Sequence, residues 1–199
     1  METVEIIAAV IGLLYLWLEY KADVWLWFVG VIMPLLYIYI FFKSKFYADM
    51  AINVYYLFAS AYGWWRWQLG SYNKKSRTND SKVDLTEDMV VSILHTPVRH
   101  IWRLSTVFAL LFVVIAHILV HYTDSPVPYG DAFTTALSIV GMWMLANKYV
   151  EQWWLWVVVN AVSAVLYFNK MLYPTGILYV IYTVVSVFGY LKWKKELGK

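Results

Sequence analysis

The chain of 199 residues contains no cysteine, so disulfides, thiolate metal ligands and thiol nucleophiles are all excluded. Charge is scarce as well: Asp, Glu, Lys and Arg make up 15% of the residues, against about 25% in an ordinary soluble domain. No enzyme constellation is present. There is no paired intramembrane carboxylate, no His-Glu-His metal spacing, no glycine-rich phosphate loop and no Ser/His/Asp set at one depth. Neither catalysis nor a bound cofactor or metal is therefore expected. The net charge of +3 reflects basic loops rather than a nucleic-acid surface. The start, Met-Glu-Thr-Val-Glu, lacks a basic region before its apolar run, so no cleaved signal peptide is expected.

What is abundant is apolar and aromatic side chain, 62% and 20% of the residues. A membrane-spanning helix needs about 20 mostly apolar residues. Seven stretches qualify or nearly do: Val4–Leu18, Val24–Phe42, Tyr47–Leu69, Ile101–His121, Asp131–Asn147, Trp153–Asn169 and Tyr173–Trp193. The reading is an all-α integral membrane protein with lipid as its surroundings. With seven spans, thirteen of the sixteen basic residues fall on one side, leaving Lys43, Lys45 and Lys170 on the other. The positive-inside rule then predicts an external N-terminus and a cytoplasmic C-terminus.

The chain also repeats itself. Gly12, Leu16, Tyr20, Trp25, Leu26, Trp27 and Val29 recur as Gly141, Leu145, Tyr149, Trp154, Leu155, Trp156 and Val158. At a slightly shorter spacing, Tyr56, Ser60, Gly63 and Trp67 recur as Tyr182, Ser186, Gly189 and Trp193. Two three-helix copies fused directly would be mutually inverted, so a spacer span restores a common orientation and gives 3+1+3 parallel repeats. The expected organisation is a first repeat at 1–70, a cytoplasmic loop at 71–100, a linker span at 101–122 and a second repeat at 123–199. In the loop, Asn73 to Asp80 reads as a flexible turn-rich segment. Asp84 to Leu94 reads as an exposed linker or an interfacial amphipathic helix.

Duplicated membrane bundles commonly build transporters with the substrate between the repeats. Helical spacing puts Asn53, Tyr56, Ser60, Trp64 and Trp67 on neighbouring positions of one face. A buried amide is costly unless bonded, so Asn53 and Tyr56 are expected to face a cavity, whereas Trp67 suits the interfacial belt. The second repeat supplies Trp156, Asn160, Tyr182 and Ser186. Aromatic faces and amides suit a flat, nitrogen-rich and cationic heteroaromatic ligand. Glu19 either pairs with Lys21 or Lys148 at the membrane surface or bonds an amino-bearing or cationic substrate. Pro34 interrupts helix 2 and Ser163 is its partner in the repeat; Pro34 is the candidate hinge for rocking one unit against the other. A non-transporting scaffold whose aromatics only pack is the rival class.

The pattern Asn53-x-x-Tyr56, Tyr62-Gly63-Trp64-x-x-Trp67 and the run Lys148-Tyr149-Val150-Glu151-Gln152-Trp153-Trp154-Leu155-Trp156 through Asn160 resemble the PnuC family of vitamin transporters. The resemblance implies SWEET-like three-helix units in a bacterial inner membrane protein, facilitated diffusion, trapping of the vitamin by a cytoplasmic kinase, and a homotrimer. Family substrates are nicotinamide riboside, thiamine and riboflavin. Met33 and Asn53 stand where the enterobacterial nicotinamide riboside pattern has Asn and Gln, and Glu19 replaces a small neutral residue. The run Trp17-Leu18-Glu19-Tyr20-Lys21 looks like the thiamine-type members. Thiamine is therefore the expected substrate, with nicotinamide riboside as the alternative and riboflavin third.

Overall fold

The computed structural model describes residues 2–43, 47–78, 93–169, 171 and 173–197. Seven helices follow one another: α1 (Glu2–Tyr20), α2 (Trp25–Lys43), α3 (Tyr47–Thr78), α4 (Val98–Tyr122), α5 (Pro128–Ala146), α6 (Gln152–Asn169) and α7 (Tyr173–Glu196). Among the described residues there is no strand, only an isolated parallel bridge between Leu94 and Tyr149. Among the described residues, two helical segments, Val98–Tyr122 and Thr175–Glu196, are long and apolar enough to cross a membrane by length and composition alone.

Most boundaries fall within three residues of the sequence expectation, and one differs by more. α3 runs on to Thr78 instead of stopping near Leu69, so 71–78 is helix rather than loop. That stretch lacks proline and glycine, so nothing in its sequence breaks the helix. The proposed amphipathic helix at Asp84 to Leu94 lies outside the described residues up to position 92.

The chain divides into two units, Met1–Ser92 and Ile93–Lys199. In the first, α1 ends in a tight reversal. The N–H of Ala22 donates to the Glu19 carbonyl and that of Asp23 to the Leu18 carbonyl, each at 2.9 Å, with Ala22 at φ 55°. This is the double bond of a Schellman cap, made here by a non-glycine in the left-handed region. Asp23 Oδ1 then accepts the N–H of Trp25 at 3.0 Å, satisfying an orphan donor at the start of α2. α2 and α3 are locked by a ring in a socket. Gly63 on α3 leaves room for the ring of Trp27, which a Cβ there would overlap, and Trp67 meets that ring edge-on at 5.3 Å. Trp67 is thus a buried packing residue, not part of an interfacial belt.

The second unit repeats these features 126 positions later. Lys148 takes φ 52° where Ala22 does, with its N–H on Leu145 O (2.9 Å) and that of Tyr149 on Met144 O (3.1 Å). Trp153 fills the socket at Gly189, where a Cβ would lie 2.6 Å from the ring, and Trp193 meets it edge-on at 5.6 Å. The geometry therefore pairs Trp27 with Trp153, not with Trp156 as the identities in helices 1 and 2 imply. In this register Glu19 corresponds to Leu145 and Pro34 to Asn160.

α4 belongs to the second unit. Leu104 and Phe108 pack against Val140, Met144 and Tyr149, and Phe108 meets Phe133 of α5 edge-on. Of its residues only Ala116 is buried, while Trp102, Leu110, Val113 and Val114 are exposed. An apolar surface of that kind suits lipid.

The segment before α4 is clasped to the α5–α6 turn. Leu94 N–H donates to Lys148 O (3.0 Å), and Val150 N–H to Leu94 O (2.9 Å). Glu151 Oε2 accepts the N–H (2.8 Å) and the hydroxyl (2.7 Å) of Thr96, while Oε1 takes Nδ1 of His95 at 2.6 Å. Burial works to raise the Glu151 carboxyl. The bonds from His95 and Thr96 outweigh it and hold the group below the ordinary glutamate range. A folded value below the unfolded one contributes stability above the unfolded pKa, and that contribution fades as pH falls through the folded value. Thermal unfolding should therefore show a component lost on acidification below about pH 4.5. Glu151→Ala should abolish that component and cost about 1–3 kcal/mol at neutral pH, since Thr96 keeps buried donors without an acceptor. A wild-type-like pH profile in Glu151→Ala would show that the clasp carries no such energy.

Candidate functional site

Two polar clusters form inside the helices, one in each unit. In the first, Glu19 is 2% exposed at the end of α1. Tyr15 precedes it by one turn, and Glu19 and Tyr56 are the groups that act electrostatically on its hydroxyl. Ser60 on α3 is buried and donates to the Gly30 carbonyl of α2 at 3.2 Å. The missing side chain at Gly30 makes the approach possible: a Cβ there would stand 3.1 Å from both Ser60 Oγ and the Tyr15 ring. Asn53 and Tyr56 are half-buried on the same helix, Tyr56 with Tyr55 beside it at 5.7 Å.

Trp64 does not join them. Gly63 points at Trp27, so the next residue turns about 100° away. Trp64 is 40% exposed with its ring against Phe28 at 6.1 Å. Lys21 lies over the Trp17 ring, 3.8 Å from its centre.

In the second unit Asn160 is buried on α6 and donates from Nδ2 to Ser186 Oγ at 3.3 Å; Ser186 in turn donates to Tyr182 O at 2.8 Å. Tyr182 is half-buried, with the Tyr179 ring edge-on to it at 5.6 Å. Trp156 lies one turn before Asn160 with its ring on Gly141 of α5, at ordinary contact distance from a Cβ placed there. Its indole N–H is buried and makes no hydrogen bond among the described residues.

The two clusters exchange sizes at corresponding positions. α1 supplies the large Tyr15 against the small Gly30, whereas α5 supplies the small Gly141 against the large Trp156. The same space between neighbouring helices is thus filled from opposite partners. It puts a phenol beside a carboxylate in the first unit and an indole beside an amide in the second. Each cluster by itself sets polar hydrogen-bonding groups among aromatic faces, an acid in the first unit and an amide in the second. That arrangement can orient an uncharged or cationic heteroaromatic ligand, with nothing placed to break a bond in it.

Among the described residues no three His, Asp or Glu side chains converge to hold a metal ion. Two residues outside the sequence-based set belong with the clusters. Tyr15 could have been found from its i−4 spacing to Glu19. Gln152 heads α6 with no local signal beyond its i+4 and i+8 neighbours, Trp156 and Asn160.

The family model described as nicotinamide mononucleotide transporter matches residues 2–195. The chain belongs to that family. It is 24% identical to the nicotinamide riboside transporter PnuC of Escherichia coli K12, over 97% of this chain and 85% of that protein. It is also 24% identical to the riboflavin/roseoflavin transporter RibM of Streptomyces davaonensis, over 95% of this chain and 83% of the relative. The crystal structure of the vitamin B3 transporter PnuC matches with a TM-score of 0.70 and 26% identity, covering 96% of this chain and 80% of that one. These relatives are named as transporters, not enzymes. The thiamine expectation finds no support among them.

Proposed function

We propose that this protein is a bacterial inner-membrane uniporter for nicotinamide riboside. The observation that carries the reading is the match to the nicotinamide riboside transporter PnuC across nearly the whole chain, joined to the crystal structure of a vitamin B3 transporter of the same fold. The clusters are chemically compatible with it. A pyridinium cation suits the buried carboxylate of Glu19 and aromatic faces, and the ribose and carboxamide suit Asn160, Ser186 and the phenols of Tyr56 and Tyr182. The similar identity to RibM keeps riboflavin as the second reading.

In this reading the three-helix repeats are α1–α3 and α5–α7, joined by α4, with the N-terminus outside and the C-terminus cytoplasmic. Pro34 provides a flexible point in α2. The transporter is a homotrimer, and a cytoplasmic kinase traps the vitamin by adding a charge that cannot recross the membrane. The absence of an ion-coupling constellation in the sequence favours diffusion down the substrate gradient over a coupled cycle.

Calorimetric titration of the detergent-purified full chain with nicotinamide riboside, thiamine and riboflavin tests the substrate. Saturable binding of nicotinamide riboside is expected, weakened roughly tenfold or more in Asn160→Ala without loss of folded protein, because the variant leaves a ligand group and Ser186 short of a partner. Saturation by thiamine or riboflavin alone would overturn the assignment. Heat from none of the three would return the protein to the scaffold class.

A further inference from the structure

Gln152 is fully buried, yet among the described residues neither its amide oxygen nor its amide nitrogen has a hydrogen-bond partner. Native proteins leave few such groups, because each orphaned buried donor or acceptor forfeits its hydration without compensation. The 126-residue register supplies an internal control. Leu26 occupies the corresponding position, one residue before Trp27 as Gln152 is one before Trp153, and it too is 0% exposed. The same turn and the same ring-in-socket packing surround both. An apolar side chain of similar volume thus satisfies this packing, and the fold does not require an amide there.

The residue also sits in a row. Gln152, Trp156 and Asn160 are spaced i, i+4, i+8 along α6 and share one face. Trp156 marks its direction, with the ring on Gly141 of α5 and the indole N–H buried without a partner. Three nitrogen-bearing side chains therefore stand one above another, and the first two carry unused hydrogen-bonding capacity.

We infer that Gln152 is a specificity-determining ligand contact, whose amide pairs with the primary carboxamide of the nicotinamide ring. A glutamine amide presents one acceptor and one donor side by side. A primary carboxamide presents the complement, so two parallel hydrogen bonds form and all four groups are satisfied. A carboxylate in the same place offers acceptors only and faces the glutamine oxygen with a second oxygen. The inference rests on the nicotinamide riboside reading above and adds to it the means of telling amide from acid.

The test compares nicotinamide riboside with nicotinic acid riboside, identical but for carboxylate in place of carboxamide, by calorimetry on the detergent-purified full chain. Wild type is expected to bind the amide at least about tenfold tighter than the acid, a difference of about 1.4 kcal/mol. Gln152→Leu should bring the two ligands within about threefold, chiefly by weakening the amide, and its ligand-free unfolding temperature should equal or exceed that of wild type. Gln152→Met, which keeps the length without the amide, is measured alongside in case the branched leucine does not fold. A wild-type amide preference retained in either folded variant overturns the inference, as does a variant that loses stability and keeps its selectivity. A wild-type protein that binds neither riboside defeats the substrate reading itself, a different result from selectivity that survives substitution.

Discussion

Gly189→Ala should lower the unfolding temperature of the detergent-purified protein sharply, and Gly63→Ala should do the same. A Cβ at Gly189 would lie 2.6 Å from the Trp153 ring, and one at Gly63 would overlap Trp27. Neither ring can step aside cheaply. Trp27 and Trp153 are 1% and 0% exposed, and each is backed edge-on by a second tryptophan, Trp67 or Trp193. Overpacking of this kind costs about 1–3 kcal/mol, and for a chain of this size roughly 2–4 °C of Tm accompanies each kcal/mol. Gly141→Ala is the control. A Cβ there meets Trp156 at 3.4 Å, an ordinary contact, and alanine gains helix propensity of about 0.5–1 kcal/mol over glycine. The order of stability should be Gly141→Ala at or above wild type, then wild type, then the two socket variants. Since the sockets lie in separate units, their costs should add. Socket variants as stable as Gly141→Ala would mean that the helices part to admit a methyl group and that the sockets do not set helix spacing.

Those sockets also show what could and could not be read from the chain. Hydropathy located all seven helices, with α2 and α6 displaced by only a residue or so at either end, because a helix must hide its own backbone polar groups in an apolar setting. Counting identities was a poorer guide to register. The shared Trp-Leu-Trp of 25–27 and 154–156 drew the alignment to a 129-residue offset. Packing follows a different rule: a large ring goes where a small residue stands opposite, and Gly63 and Gly189 select Trp27 and Trp153. Gly63, Trp67, Gly189 and Trp193 were visible as a recurring pattern, but their partners on α2 and α6 were not. The clasp of His95, Thr96 and Glu151 was likewise invisible. It joins positions more than fifty residues apart with no periodicity, and its residues are common in any loop. Trp64 illustrates the converse: helical spacing put it beside Ser60 and Trp67, whereas its ring lies against Phe28 and remains partly exposed. Gln152 has ordinary neighbours in sequence, and only its complete burial without a partner distinguishes it.

The second large effect concerns Glu19. An acidic side chain 2% exposed in so apolar a chain is costly to keep, and such residues in membrane proteins are commonly retained for a substrate or an ion. Its neighbours narrow the role. Lys21 lies over the Trp17 ring, and Tyr15, one turn before Glu19, sets its ring against Gly30 of α2 beside Ser60. A carboxylate held among phenols is suited to meet a positive charge without water between them. Nicotinamide riboside carries that charge on its pyridinium ring, and its dihydro form is neutral with nearly the same shape. Glu19→Gln keeps the volume and removes the charge. It should weaken nicotinamide riboside about 10- to 100-fold, the range for a lost charged partner of about 1.5–3 kcal/mol, and leave the dihydro form almost unchanged. In vesicles, uptake of the cation should also depend on membrane voltage by about 2.3 kcal/mol per 100 mV, in the variant as in wild type, because that term follows the charge of the solute and not the residue that binds it. A Glu19→Gln protein that loses both ligands equally, together with thermal stability, would assign the carboxylate to holding α1 in place and leave the cation to the aromatic faces alone.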